Sequence, residues 1–318
     1  MVSLNRLNPS LIESTLNSSG YLKLMLFLTH WIRKVVPLAL LLTLSACSLN
    51  QLAPNPTIAP TAKRDHLALG NPSNATNNVT NADNYLMIKP QYALSYNNSK
   101  KTPNWVSWQL NQSWLGNAPR QNNFRPDDTL PGNWYRVRPS DYTSSGYDKG
   151  HMAPSADRTQ TVEDNSATFL MTNMVPQAPD NNQGPWADLE DYCRYLVAQG
   201  KELYIIAGSE GTKGTIGTGK VTIPQKTWKV ILVLDQPGSG IKGITSKTRV
   251  IAIEMPNEQG IRNTDWKKYK VSVRKIEANT GYNFFSNISP SIQAVLESKV
   301  DQDINVPKPI PKTPTPRR

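Results

Sequence analysis

Three apolar runs limit what this chain can fold into: Leu203-Tyr204-Ile205-Ile206-Ala207-Gly208, Trp228 to Asp235, and Arg249 to Met255. Each is rich in β-branched residues and bounded by Gly or Pro, the pattern of buried strands. Trp134 to Arg138 and Ala167 to Val175 are two further strand candidates. A helix is expected ahead of Gly200, with Pro185 in its first turn, Asp180 or Asn182 in its cap region and Gly200 at its exit. Leu189, Tyr192, Cys193, Leu196 and Val197 form its apolar stripe. Strands interspersed with helices predict an α+β fold with a central, antiparallel-rich sheet flanked by helices.

Only two cysteines are present, Cys47 and Cys193. Cys47 follows Leu44-Ser45-Ala46, which resembles a lipobox, and the apolar run Val35 to Leu44 before it is preceded by Arg33 and Lys34. That run is too short to span a bilayer and has the shape of a signal-peptide core. Residues 1–46 are therefore expected to be a lipoprotein-type signal peptide, with translation starting at Met1 or Met25, and Cys47 to carry the lipid. With Cys47 acylated, Cys193 has no disulfide partner, and its place on the helix stripe predicts a packed small hydrophobe. The fold is then held by its core alone.

Residues 47–81 are rich in Pro, Asn, Thr and Ala and read as a flexible tether, and 301–318 as a Pro-rich disordered tail. Between them, 82–300 shows neither internal repeat nor compositional break, so one domain is expected there. The formal charge is +11, part of it carried by the two ends. The moderately basic middle suits a polyanionic partner.

Three segments carry chemistry. In Asp148-Lys149-Gly150-His151, His151 is the one histidine of the expected domain, since His30 lies in the leader and His66 in the Pro/Asn-rich stretch. It is the candidate for proton transfer near neutral pH. In Thr172-Asn173-Met174-Val175-Pro176-Gln177, Asn173 or Gln177 could fix the imidazole tautomer or touch a phosphate. In the segment from Asn181 to Arg194, Glu190 and Arg194 are four residues apart and share a helix face, with the Asn-rich loop near the helix start. An oxygen ligand for a hard cation, a carboxylate to orient water and a guanidinium fork for phosphate together make a coherent Mg²⁺ phosphodiesterase site. The sequence offers no Zn-type Cys/His cluster, no glycine-rich phosphate loop ending in Lys-Ser/Thr, and no serine nucleophile motif.

These segments resemble the DNA/RNA non-specific endonuclease family, over about Asn71 to Lys299. The family's DRGH motif is represented by Asp148-Lys149-Gly150-His151, followed by Ala153-Pro154, and the steps of 31 residues from His151 to Asn182 and eight on to Glu190 suit it. The resemblance implies a ββα-metal active-site motif and cleavage of single- and double-stranded DNA and RNA to 5′-phosphate and 3′-hydroxyl ends. His151 would be the general base, Asn182 the direct ligand of Mg²⁺, with Mn²⁺ as a substitute, and Glu190 a residue that reaches the metal through water. Asn173 would orient His151, Arg120 and Arg194 would neutralise the phosphate in flight, and Gln177 would stand beside them. A cognate inhibitor protein is a further expected partner. Lys149 departs from the family's usual Arg and supplies charge without a bidentate fork. Asp127-Asp128 is expected near the basic groove. Two rival classes are a nucleic-acid-binding surface lipoprotein without catalysis, and an HNH-type nuclease with more histidine ligands, the latter disfavoured by the histidine count.

Overall fold

The computed structural model describes residues 65–303. The signal peptide and Cys47, most of the expected tether, and the tail from residue 304 onward lie outside the described residues. Eleven strands are present: β1 Tyr85–Ile88, β2 Ala93–Asn97, β3 Thr102–Leu110, β4 Asp148–His151, β5 Met174–Gln177, β6 Glu202–Glu210, β7 Gly214–Ile216, β8 Val221–Ile223, β9 Lys226–Leu234, β10 Arg249–Pro256 and β11 Lys270–Val271. The helices are α1 Val162–Ala167, α2 Pro179–Asn182, α3 Pro185–Ala198, α4 Val273–Thr280 and α5 Pro290–Ser298.

Seven strands form one sheet in the order β1-β2-β3-β6-β9-β10-β11, each neighbouring pair antiparallel. The three apolar runs became β6, β9 and β10, and burial on both faces explains why they are apolar throughout. Leu203, Ile205, Ala207, Ile231 and Val233 join α3 in one core, whereas Tyr204, Ile206, Trp228, Val230 and Leu232 join α4 and α5 in the other. The expected helix is α3, with Leu189, Tyr192, Cys193, Leu196 and Val197 all buried. Burial also pushes the Cys193 thiol up to about 12, in keeping with a packed hydrophobe.

Several expectations change. Trp134 to Arg138 is not a strand; Pro131 and Pro139 bracket it, and Arg136 donates to the Leu130 carbonyl (2.9 Å). Ala167 to Val175 is divided among the end of α1, a tight turn at Met171–Asn173 and the start of β5. The folded body also starts before residue 82. Ala68, Leu69 and Ala75 are buried in the α4/α5 core, and the Ser107 hydroxyl donates to the His66 carbonyl (2.6 Å). His66 is thus a second histidine of the domain, 5% exposed, with a ring nitrogen 2.9 Å from the Pro90 carbonyl. A polar composition concealed a segment that covers one face of the sheet. At the other end, Asp301 pairs with Arg249 (2.9 Å) and Lys270 (2.7 Å), so the body extends into what reads as tail.

Apart from the main sheet, β4 and β5 form an antiparallel ribbon that runs through α2 into α3. This ββα unit carries the three chemical segments.

Candidate active site

Two glycines allow the unit to close. A Cβ on Gly150 would collide with the side chain of Gln177 on the paired strand. One on Gly184, the N-cap of α3, would meet the carbonyls of Asp180 and Arg262. Any larger residue at either point would force the ribbon or the helix start apart.

His151 ends β4 opposite Met174. Its ring meets Phe169 edge-on at 4.9 Å between centroids and lies 5.5 Å from Phe124. Nε2 is buried without a hydrogen-bond partner among the described residues. Burial, reinforced by the cations Arg120 and Lys149, lowers the imidazole to about 3, so it is neutral at physiological pH. A neutral imidazole is a proton acceptor in waiting.

Asn173 is fully buried and grips the next turn rather than the ring. Its Oδ1 accepts from the Ala153 amide (3.0 Å), and its Nδ2 donates to the carbonyls of Ala153 (2.8 Å) and Thr168 (2.9 Å). It holds the backbone two residues after His151. Gln177 is also fully buried and donates to Asn181 (2.8 Å). That placement keeps it from a phosphate arriving from solvent.

Arg120 lies on the surface, donates to Asn122 (2.7 Å) and Ser155, and places its guanidinium 4.9 Å from the centre of the Phe169 ring that His151 also touches. Lys149 sets its ammonium 4.9 Å from the centre of the Phe124 ring. Both cations therefore share aromatic neighbours with the imidazole.

At the end of α2, Asn182 donates Nδ2 to Asp148 (2.8 Å), and Gln183 donates to the same carboxylate oxygen (2.7 Å). A carboxylate only accepts, so this bond fixes which end of the Asn182 amide is nitrogen and leaves Oδ1 as the free acceptor. Asp148 thus acts as a hook that ties the metal-ligand candidate to the strand of His151. Its position in the first segment made it visible, but its partner was not.

On α3, Glu190 and Arg194 share a helix face as expected but take different partners. Arg194 donates to Asp157 (2.8 Å) and to Asp191. Asp157 also accepts from Trp108 Nε1 (3.0 Å). Burial works against the Arg194 charge, but Asp157 and Glu190 outweigh it and raise its pKa. Glu190 pairs instead with Lys229 of β9 at 3.6 Å. Burial pushes its carboxyl upward, against the pull of Lys229 and Arg194. Asp157 left no signal in the sequence, whereas Lys229 left a faint one, a lysine inside an apolar strand. Asp127 is buried against Lys89 (2.9 Å) and is structural rather than part of a groove.

Residues 69–291 match the profile of the DNA/RNA non-specific endonucleases. A nuclease of Nostoc sp. is 66% identical over 236 residues, covering 74% of this chain and 86% of that protein. A nuclease of Serratia marcescens is 29% identical over 250 residues, covering 74% and 85%. The crystal structure of an EndoG/EndoGI complex contains a similar fold, with a TM-score of 0.61 and 24% identity, covering 73% of this chain and 95% of that one. With a profile match across most of its folded body and a close relative over most of its length, this chain belongs to the DNA/RNA non-specific endonuclease family.

Proposed function

We propose that the protein is an exported, Mg²⁺-dependent endonuclease that cuts single- and double-stranded DNA and RNA to 5′-phosphate and 3′-hydroxyl ends, with His151 as general base. The observation that carries this reading is the state of His151, a neutral imidazole packed against Phe124 and Phe169, the two rings on which the cations Lys149 and Arg120 also rest.

The residues present fit a hard cation. Among the described residues no cluster of three or more carboxylate, His or Cys side chains could cage a metal. Asn182 nonetheless offers an amide oxygen whose orientation Asp148 fixes, and Mg²⁺ accepts one or two such protein oxygens while keeping most of its water. Asn182 would hold the ion directly and Glu190 through water. When bound, it supplies positive charge at the scissile phosphate and the leaving oxygen.

The chain's own residues account for the proton traffic. His151 takes a proton from water, the water oxygen attacks phosphorus in line with the bond to the 3′ oxygen, and that bond breaks. The leaving oxygen takes its proton from a water that Glu190 orients, and the imidazolium returns its proton to solvent. Arg120 meets the phosphate directly. Arg194, tied to Asp157 and Asp191, adds charge from behind. Lys149 reaches the substrate by leaving the Phe124 ring. Gripping phosphate carries no sequence information, so cleavage is general and salt-sensitive.

The leader supports export, with Cys47 as the lipid anchor of a periplasmic or surface protein. A cognate inhibitor would guard the producing cell, as the EndoG/EndoGI complex illustrates for EndoG.

The test combines supercoiled plasmid and structured RNA, with Mg²⁺ or with EDTA, and analysis of the ends. Wild type degrades both, EDTA stops it, and the fragments ligate without kinase treatment. Full activity in His151→Ala would remove the mechanism. Incorporation of labelled fatty acid that disappears in Cys47→Ala tests the anchor.

A further inference from the structure

Directly behind the site, β9 turns Lys229 toward α3, on the same side as Ile231 and Val233. The side chain is 1% exposed. Its ammonium lies 4.0 Å from the centre of the Trp186 ring, 5.9 Å from that of Trp108 and 3.6 Å from Glu190 Oε1. Among the described residues, Glu190 is the one anion within ion-pair reach of it.

Burying an ammonium is costly, and a residue of similar volume such as Met or Leu serves packing better. The Trp186 face offsets part of that cost, but it needs no cation for its own packing. What the lysine supplies that a methionine would not is a fixed positive partner for Glu190. Arg194, one helical turn away, does not fill that role, because its guanidinium nitrogens are committed to Asp157 and Asp191. At 3.6 Å the Lys229 contact is an ion pair rather than a hydrogen bond. It restrains the carboxylate without occupying its lone pairs in a tight bond.

We propose that Lys229 is a positioning residue for cleavage, which holds the Glu190 carboxylate in place from inside the core without touching substrate. The inference rests on the role given to Glu190 above. Trp186 belongs to the same device: it lies in the first turn of α3, four residues before Glu190, and its ring faces the ammonium.

The experiment is a double-mutant cycle on the full folded protein, with kcat and KM measured on a short defined duplex in Mg²⁺. The variants are Lys229→Met, Glu190→Gln and the two together, each checked by circular dichroism and thermal melting. Lys229→Gln serves as the second variant should Met at this position fail to fold. The expected result for Lys229→Met is a loss in kcat of about 10- to 100-fold, the range for removing a residue that orients an active-site group. KM should stay within about twofold, because no substrate contact is removed. In the Glu190→Gln background the same substitution should change kcat by less than about threefold, since a residue that acts only through Glu190 has nothing left to position. A folded Lys229→Met with wild-type kcat would overturn the proposal. So would a loss that multiplies in full with that of Glu190→Gln. If Glu190→Gln is itself fully active, the role of Glu190 falls; if it is inactive while Lys229→Met is not, only the present inference falls.

Discussion

The two faces of the central sheet bury charge in different company, although both hold ion pairs, among them Lys226 with Glu210 and Glu254 on the α4/α5 face. On the α3 face Lys229, Glu190, Arg194 and Asp157 follow one another with alternating sign, and each buried charge has an opposite neighbour. On the α4/α5 face, apart from its apolar core, two carboxyls meet: Glu277 and Glu297. Burial and the Glu297 charge raise Glu277 to about 7, against the pull of the Phe284 amide that it accepts. One face sets opposite charges side by side, as the proposed phosphate site would require. The other face contains a like-charged pair that is comfortable only while it shares a proton. The two faces should therefore differ in what mutation does to them, and in the direction in which pH acts.

The largest expected effect is on catalysis. His151→Ala should lower cleavage of plasmid and RNA by about 10²- to 10⁴-fold, with the melting temperature nearly unchanged. A fall in melting temperature of similar size in every site variant would erase the distinction between a catalytic and a structural face. Next is Asp157→Ala, which strips Arg194 and Trp108 of a buried acceptor. It should cost about 3 kcal/mol by denaturant unfolding, the scale for breaking a buried pair, and should also slow cleavage because Arg194 is freed. Loss of activity without loss of stability would show that the row of charges is not needed for the fold.

Two pH effects follow, of opposite sign. His151 is neutral in the fold and lowered from 6.5 to about 3, so the unfolded chain binds the extra proton. Its stability contribution is present above pH 6.5 and lost as pH falls toward 3. At pH 5 the loss is about 2 kcal/mol, and His151→Gln should flatten this part of the stability curve. Glu277, raised from 4.5 to about 7, works the other way: its contribution is present below pH 4.5 and lost as pH rises through 7. It is partly exposed, so after allowance for solvent screening Glu277→Gln should add about 1 kcal/mol at pH 8 and nothing at pH 4. Melting curves of both variants between pH 4 and 8 would show whether the faces diverge as described.

What could be read from the chain, and what could not, divides along similar lines. Strands β6, β9 and β10 were legible because burial on both faces leaves an uninterrupted apolar run. Helix α3 was legible from Pro185, its stripe and Gly200. Strand β3 escaped because Pro103, Asn104 and Gln109 break its pattern. The segment around His66 escaped because short polar residues make turns that pack as readily as they make linkers. At the site, candidates for the chemistry were visible as types at intervals, namely His151, Asn182, Glu190 and Arg194, and Arg120 came from the family resemblance. Of their holders, Asn173 was singled out in its segment and Asp148 stood in the first motif, but Asp157 and Lys229 were not seen, because they act through contacts that only the fold creates. Gln177 illustrates the converse, an amide of the right kind near the right motif that packing has turned inward.

The cysteine buried under α3 has a practical consequence. Cys193 is the one cysteine among the described residues, 1% exposed and with its thiol raised to about 12, so maleimide and iodoacetamide reagents should pass it by. In a chain started after Cys47, a cysteine introduced at an exposed position such as Asn123 would be the single reactive thiol. A fluorophore attached there would report the approach of nucleic acid to Arg120 without any need to remove the native sulfur.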